Sequence, residues 1–268
     1  MIQGASSYRV FPWARGVMLP LFVALWLTGC VQAPRMELPG GKQSPELSAA
    51  SCRSIVNQRT ASGALRAIVE ATIRIRSAES VSFRYGIVHK EPAWLRIDVL
   101  PLEGSYTLGL FTLKDGVARF IDTQERTYAE DSSADALLEH FLGLRGLSPQ
   151  VIIALLEQQI PALLCEQVSV FVNQNFSIIL DPIRHLSWTV SRMSSRLEDV
   201  AILDSGNEIV EARASIVSSR SLYPAIAISV YKPTSASAEL LVKKLTTRVE
   251  VPDRTFDIPI PPGFKRVD

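Results

Sequence analysis

The chain has 268 residues, of which 47% are hydrophobic, and its 28 Lys and Arg nearly balance its 27 Asp and Glu. Nucleic-acid binding needs a concentrated basic patch, so the balanced charge argues against a nucleic-acid partner. The length suits one large β domain or two small domains.

The first 29 residues have the features of a bacterial export signal. Arg9 and Arg15 give a basic start without acidic residues, and the apolar run 17–27 is shorter than the roughly 20 residues that span a bilayer. The run ends in LTGC, which resembles the lipobox of bacterial lipoproteins and implies cleavage before Cys30 and a covalent N-terminal lipid on it. The alternative is an uncleaved anchor or an ordinary signal peptide with a chance cysteine.

The next segment, residues 30–50, predicts a lipidated flexible tether, because it holds Pro, Gly, Ser and Gln without periodicity. The folded domain is then expected to cover 51–268. Two further cysteines, Cys52 and Cys165, could form a disulfide in an oxidising compartment, and the alternative is two buried free thiols.

Regular structure is expected from residue 52 onwards. Apolar residues at roughly helical spacing predict a helix over 52–72, with Ser62-Gly63 as a point at which it could kink or break. From Ile73 the period changes to two. Alternation and turn residues about every ten positions then predict a meander of strands. These strands are 81–90, 93–100, 106–113, 117–122 and a short one near 127–129.

Two helices are predicted in the middle of the chain, over 132–144 and 148–160, each with a serine near its start. Strands then resume at 168–173, 176–180, 186–192, 200–204, 208–217, 225–231 and 243–251. This order favours a mainly β fold of the α+β class, in which one curved antiparallel sheet carries the helices on its concave side. Two β-sandwich domains fit less well, because the helices lie in mid-chain.

No catalytic or metal-binding pattern is visible in the sequence. The histidines His89, His140 and His185 have no metal-ligand spacing to one another or to a cysteine, and no G-x-S-x-G motif occurs. We therefore expect no enzyme, no metal and no cofactor apart from the lipid on Cys30. A catalytic group assembled only in space stays an open alternative.

The turn between the strands 93–100 and 106–113 contains Pro101, Leu102, Glu103 and Gly104. Proline and glycine are typical turn residues, whereas a large apolar side chain is unusual in an exposed bend. Leu102 is therefore a candidate for contact with an apolar partner or surface. In the alternative it folds back onto the sheet.

Several motifs together resemble the LolA/LolB group of lipoprotein carriers and receptors, especially LolB, the outer-membrane receptor that is itself a lipoprotein. They are Trp94-Leu95-Arg96-Ile97, the turn from Pro101 to Ser105, the strand from Tyr106 to Leu110, the two helices after it and the tail from Phe256 to Phe264. The resemblance implies an unclosed β-barrel covered by helices, whose apolar cavity holds acyl chains. Candidate cavity residues are Phe83, Tyr85, Ile97, Leu108, Leu110 and Phe120, and the alternative for each is a place in the packed core without ligand contact.

The same resemblance implies the partners and the location. A monomer would receive lipoprotein cargo from a periplasmic LolA-like carrier and release it into outer-membrane lipid. Leu102 matches the leucine that assists release in LolB-like proteins, although Glu103 stands between it and the glycine. In bacterial lipoprotein sorting, Asp directly after the lipidated cysteine favours retention in the inner membrane. Here Val31 follows Cys30, so the resemblance implies the periplasmic face of the outer membrane.

Two other functions are compatible with the same fold. One is a binding module that senses or stores a lipid or a lipoprotein without transporting it. The other is a structural lipoprotein used in envelope assembly.

Overall fold

Three α-helices and fourteen strands make up the described part of the chain in a computed structural model. The described residues are 33–38, 45–58, 63–75, 80–91, 93–104, 106–131, 133–142, 148–217, 223–231 and 236–267. The helices are α1 (Pro45–Asn57), α2 (Ala134–Leu142) and α3 (Pro149–Glu157). The strands are β1 (Ala64–Ile75), β2 (Val81–Lys90), β3 (Trp94–Pro101), β4 (Gly109–Lys114), β5 (Val117–Asp122), β6 (Thr127–Asp131), β7 (Ser169–Val172), β8 (Phe176–Asp181), β9 (Leu186–Ser191), β10 (Leu197–Leu203), β11 (Val210–Val217), β12 (Ala225–Val230), β13 (Ala236–Thr247) and β14 (Lys265–Arg266).

The strands of the described residues belong to one sheet, with the order β14-β6-β5-β4-β3-β2-β1-β13-β12-β11-β10-β9-β8-β7. Neighbouring strands run antiparallel, except that β14 lies parallel to β6. A long ladder between β1 and β13 joins the two runs of consecutive hairpins. The outermost strands, β14 and β7, do not pair with each other, so the curved sheet stays open. This confirms the predicted mainly β, α+β fold, an unclosed β-barrel with a helical lid.

Alternating side chains give the sheet one apolar face, which is its concave face. Leu65, Ala67 and Val69 of β1 are buried, whereas Arg66 and Ile68 between them are exposed. The inward residues of the other strands join them in one hydrophobic core, against which α2 and α3 pack. The period-2 pattern of the sequence thus positions a continuous apolar surface beneath the helices.

Residues 64–72 form a strand, so the predicted helix over 52–72 is wrong there, although helix α1 covers its first part, 52–57. Gly63, with φ +66°, stands between the helix and the strand. Leu65 and Val69 suit either a helical or an alternating pattern, and spacing alone does not separate the two. The strand is formed because β1 pairs with β2 on one side and with β13 on the other, which satisfies its backbone groups.

The folded region begins earlier than residue 51. Helix α1 starts at Pro45, inside the segment predicted as tether, and proline is favoured in the first helical turn. Ser48 is buried and its Oγ accepts a hydrogen bond of 3.3 Å from the Val170 amide, which occupies a donor of the outermost strand β7. Upstream, Arg35 forms an isolated bridge with Ile209.

The other element boundaries agree with the predictions to within a few residues, with two differences. Strand β13 begins at Ala236, well before the predicted strand 243–251, because it pairs along its length with β1 and β12. Strand β4 begins at Gly109 rather than at Tyr106. The second difference changes which side chains face the core, as described below.

A C-terminal strap, residues 249–267, crosses the convex face of β2 to β6. Phe256 packs edge-on against Trp94 with 5.4 Å between the ring centres. Arg96 Nη1 donates a 3.0 Å hydrogen bond to the Thr255 carbonyl. The strap therefore braces from outside the strands whose inner faces carry the core. None of the helices among the described residues combines the length and the apolar character needed to cross a bilayer.

Candidate functional site

An apolar cavity of about 50 Å³ lies between the concave face of the sheet and α3. The sheet contributes side chains from β1, β2, β3, β12 and β13, and the helix closes the space from above. All lining side chains are hydrocarbon except for the Tyr85 hydroxyl. They are Val69, Ala71, Ile73, Tyr85, Ile87, Ile97, Ile152, Leu155, Leu156, Ile226, Ile228 and Leu240.

Helix α3 is held by its two ends and by aliphatic packing. The Ser148 Oγ accepts a 3.3 Å hydrogen bond from the Val151 amide and caps the N-terminus. At the other end, Gln158 adopts the left-handed conformation, with φ 55°, and its carbonyl accepts a 2.9 Å bond from the Leu197 amide. The helix lines the cavity with aliphatic side chains, whose packing is non-directional.

The cavity is too small for an acyl chain in the conformation observed. An engineered apolar cavity of about 150 Å³ takes a molecule as small as benzene. The space of about 50 Å³ under α3 is well below this volume. Admission of a longer hydrocarbon requires α3 to move away from β1 and β12.

Tyr85 supplies the one polar group of the cavity lining. Burial raises the pKa of its hydroxyl above the ordinary value, because the phenolate would lose its hydration in these surroundings. The side chain is therefore neutral at physiological pH. The cavity presents no charge to a ligand.

The structure brings together only two of the predicted lining residues, Tyr85 and Ile97. Phe83 lies on the same face of β2, beside Ala71 of β1, but does not line the cavity. Phe120 is buried in the core, opposite Phe111.

Leu108 and Leu110 do not line the cavity either, because β4 presents its other residues to the core. Phe111 stands opposite Ile97 of β3, and directly opposed residues share a face of the sheet. Leu110 stands opposite Asp98 and points to the convex face. A shift of one residue in the alternation exchanges the two faces, which is the origin of this error.

Most lining residues were missed in the sequence, for two physical reasons. Val69 and Ala71 lie in the segment mistaken for a helix. Ile226 and Ile228 belong to a correctly predicted strand, but the pairing of β12 with β13 brings them beneath α3. The alternation of residues 65–73 was the available signal.

Leu102 lies in the bend after β3, and 41% of its surface is exposed. Its carbonyl accepts a 3.1 Å hydrogen bond from Arg84 Nη2, which holds the bend against β2. Tyr106, further along the same loop, is 61% exposed. Gly104 between them has φ +111°, a conformation that few side chains tolerate. The loop thus presents two apolar side chains to the surroundings.

The structure joins Cys52 of α1 to Cys165 in a disulfide, with 5.5 Å between their Cα atoms. Both residues are buried. An ion pair between Arg53 and Glu166, 3.0 Å long and exposed, accompanies the bridge. Cys30, the candidate for lipid attachment, lies outside the described residues.

The described histidines make structural contacts. His89 is buried, with Nδ1 2.9 Å from the Trp94 carbonyl oxygen, and Nδ1 of His185 lies 3.1 Å from Asn207 Oδ1. The side chain of His140 lies outside the described part. Within that part, no group of three or more His, Cys, Asp or Glu is placed to hold a metal ion.

Comparison with known proteins identifies the fold from structure alone. No protein-family model matches the chain, and no curated protein sequence matches it. A LolA superfamily protein from Nitrosomonas europaea superposes with a TM-score of 0.53 at 11% identity, covering 78% of this chain and 97% of the other. A protein described as an outer membrane lipoprotein-sorting protein domain, from Vibrio parahaemolyticus, gives 0.55 at 11% identity, with 80% and 97% covered.

A third similar structure is a DUF1329 family protein from Desulfovibrio piger, with a TM-score of 0.56 at 10% identity and coverage of 80% and 98%. Identities this low establish similarity of fold and nothing finer. The chain therefore has the fold of the LolA/LolB group, an open curved sheet with helices over an apolar cavity.

Proposed function

We propose that this protein binds the hydrocarbon chains of lipids or lipoproteins in the cavity beneath α3. The observation that carries the proposal is the lining, which consists of aliphatic side chains and one neutral phenol. Such a surface offers no hydrogen-bond pattern for a polar substrate and suits a ligand that gains only from leaving water.

The energetics favour a long chain over a small apolar molecule. Each methylene group removed from water contributes about 0.8 kcal/mol, so a chain gains in proportion to its buried length. Displacement of α3 exposes its own apolar side chains, and the ligand has to replace these contacts. A short ligand therefore cannot hold the site open, whereas a long one can.

The finer part of the proposal is transport. We propose that Cys30 carries a covalent lipid, and that the protein, as a monomer on the periplasmic face of the outer membrane, accepts lipoproteins from a LolA-like soluble carrier and releases them into the bilayer. The LTGC sequence supports the anchor, and the exposed Leu102 supports contact with lipid. The description of the Vibrio neighbour as a lipoprotein-sorting domain agrees with this role.

Binding is tested directly by titrating the protein with a fluorescent fatty acid whose emission rises in apolar surroundings. We expect saturable binding, and displacement by a triacylated lipopeptide. Failure of both ligands to bind the folded protein would refute the proposal.

Release is tested by the variant Leu102→Glu, with Val117→Glu as its matched control. Both side chains are exposed to a similar extent, 41% and 47%, but Val117 lies at the opposite end of the strands. We expect Leu102→Glu to slow transfer of bound lipopeptide to vesicles at least about fivefold, because a carboxylate resists entering the lipid interface. Binding by both variants should stay unchanged. Equal loss of binding and transfer in Leu102→Glu would contradict a specific role of Leu102 in release.

The second candidate function is a sensing module that binds lipid without passing it on. The carboxylate of Glu103 beside Leu102 favours this alternative, since it weakens insertion of the loop. Depletion of the protein in a bacterium that produces it separates the two functions. Stranding of lipoproteins in the periplasm supports transport, and normal sorting supports sensing.

A further inference from the structure

The N-terminal segment, residues 33–38, is clamped onto the sheet rather than free. The Met36 amide donates a 2.7 Å hydrogen bond to the Glu208 carbonyl, and the Val210 amide donates a 2.9 Å bond to the Pro34 carbonyl. The Met36 side chain packs against a small core that includes Ala201, Leu203 and Val210. We call residues 33–38 the N-terminal clamp.

The clamp lies at a defined end of the strands, where β10 ends and β11 begins. The strand register links this position to the loop of Leu102 step by step. The pairs are Leu203–Val210, Ala212–Val230, Val230–Ala236, Ala236–Ile75, Ile73–Val81 and Phe83–Pro101. The clamp and Leu102 are therefore at the same end of the sheet, which we call the Leu102 end. The turn with Val117 is at the other end.

The clamp leaves very little chain between Cys30 and the folded sheet. Three peptide units separate Cys30 from Ala33, and they span at most about 11 Å. A lipid on Cys30 would consequently hold the Leu102 end within a short distance of the bilayer. Exposed apolar residues occur at both ends of the sheet, so only the position of the lipid on Cys30 distinguishes the two ends.

The side chains around the cavity are less buried toward the same end. Along the inward face of β2, burial falls from Ile87, 7% exposed, through the half-buried Tyr85 and Phe83 to Val81, 40% exposed. The lining residues Tyr85 and Ile73 lie in the less buried part. An acyl chain leaving the cavity there would meet the bilayer rather than water.

We propose that the N-terminal clamp orients the domain on the membrane, with the Leu102 end and the less buried side of the cavity facing the lipid. The occupant of this surface is the bilayer itself. The proposal rests on the lipid anchor of the proposed function. It adds that a short clamped connection sets the orientation, in place of the flexible tether that the sequence predicts for 30–50.

The test uses the full chain, processed and lipidated in a bacterial host and reconstituted into phosphatidylethanolamine and phosphatidylglycerol vesicles. A fluorescent label is placed at Leu102→Cys or at Val117→Cys, and quenching by spin-labelled lipid reports contact with the bilayer. We expect quenching at residue 102 to exceed that at residue 117 at least threefold. Similar quenching at both residues, or more at 117, would overturn the proposal, as would recovery of the protein without lipid on Cys30.

A spacer variant tests the clamp itself. About 20 Gly and Ser residues inserted between Gln32 and Ala33 give a flexible connection and leave the folded region intact. We expect the difference in quenching between the two labels to fall by at least half. An unchanged difference would show that the loop orients the domain without the clamp, and would overturn the proposal.

Fatty acid binding by the same labelled proteins distinguishes the two proposals. Oriented protein that binds no fatty acid would refute the proposed function alone. Protein that binds fatty acid but lies in no preferred orientation would refute the clamp alone.

Discussion

The two halves of the sheet use their concave faces in different ways. In the half formed by β7 to β10, Trp188, Ile179 and Val200 are completely buried, and none of them lines the cavity. In the half around β1, β2, β12 and β13, side chains of the same kind surround a hollow under α3. Both halves belong to one hydrophobic core.

The difference shows how one sheet combines stability with the capacity to open. The filled half is tied by the disulfide between α1 and Cys165, which follows α3. The disulfide and the Leu197–Gln158 hydrogen bond fix the C-terminal side of α3 to the filled half. The hollow half meets α3 through the aliphatic side chains of Ile152, Leu155 and Leu156, which can separate without breaking a hydrogen bond.

Removal of the disulfide is expected to give the largest effect, which is a loss of stability. The bridge closes a loop of 113 residues, for which chain entropy gives about 4–5 kcal/mol. We expect Cys52→Ala with Cys165→Ala to lower the free energy of unfolding in urea by this amount. Fatty acid binding by the protein that remains folded should persist.

The control variant Arg53→Ala removes the neighbouring ion pair with Glu166 and leaves the bridge in place. Because that pair is exposed, its loss should change the free energy of unfolding by less than about 1 kcal/mol. A double cysteine variant as stable as this control would show that the filled half does not depend on the covalent tie.

A matched pair of alanine substitutions separates the hollow from the filled core. Ala71 and Ala214 are both completely buried on the concave face, but only Ala71 lines the cavity. We expect Ala71→Leu to fill the hollow, to weaken fatty acid binding at least about tenfold, and to change stability by less than about 1 kcal/mol. Fluorescence titration and urea unfolding measure the two quantities.

The counterpart, Ala214→Leu, inserts the same group at a completely buried position outside the cavity lining. Overpacking of this kind lowers the free energy of unfolding by about 1–3 kcal/mol. Binding by the folded protein should be unchanged. If both variants lost stability equally and kept binding, the cavity would not be the ligand site.

Most of the fold could be predicted from the sequence because the relevant signals are local. Strand β2 and the turn after β4 could be read from alternation and from Asp115-Gly116. The error at residues 64–72 arose where local signals conflict, since Leu65 and Val69 suit a helix as well as a strand. Whether these residues form a helix or a strand is decided by their pairing with β13, more than 170 positions away.

The site was less predictable, because a cavity is a tertiary property. Tyr85 and Ile97 were identified from the alternation of their own strands. Ile228 required knowledge of which strand lies beside β13, and Leu156 required knowledge of where α3 rests. The clamp was missed because residues 33–38 have no periodicity, and their partners lie in a distant turn.

The smallest expected effect concerns Tyr85, whose hydroxyl is the one polar group of the cavity lining. Burial raises the pKa of Tyr85 in the folded protein above its value of 10.0 in the unfolded chain. Below pH 10 both states keep the proton, so the hydroxyl adds no pH dependence. Above pH 10 the unfolded chain loses the proton while the folded protein keeps it, and stability falls by up to about 1.4 kcal/mol per pH unit.

We therefore expect urea unfolding of the Tyr85→Phe variant to show a shallower loss of stability between pH 9.5 and pH 11 than the original protein, by about 1 kcal/mol at pH 11. At pH 7 the two proteins should differ little, because the phenol is protonated in both the folded and the unfolded state and the substitution keeps the ring. Tyr106→Phe, which removes an exposed phenol, is the matched control and should follow the original protein. If Tyr85→Phe also followed it, the hydroxyl of Tyr85 would be hydrated in the folded protein.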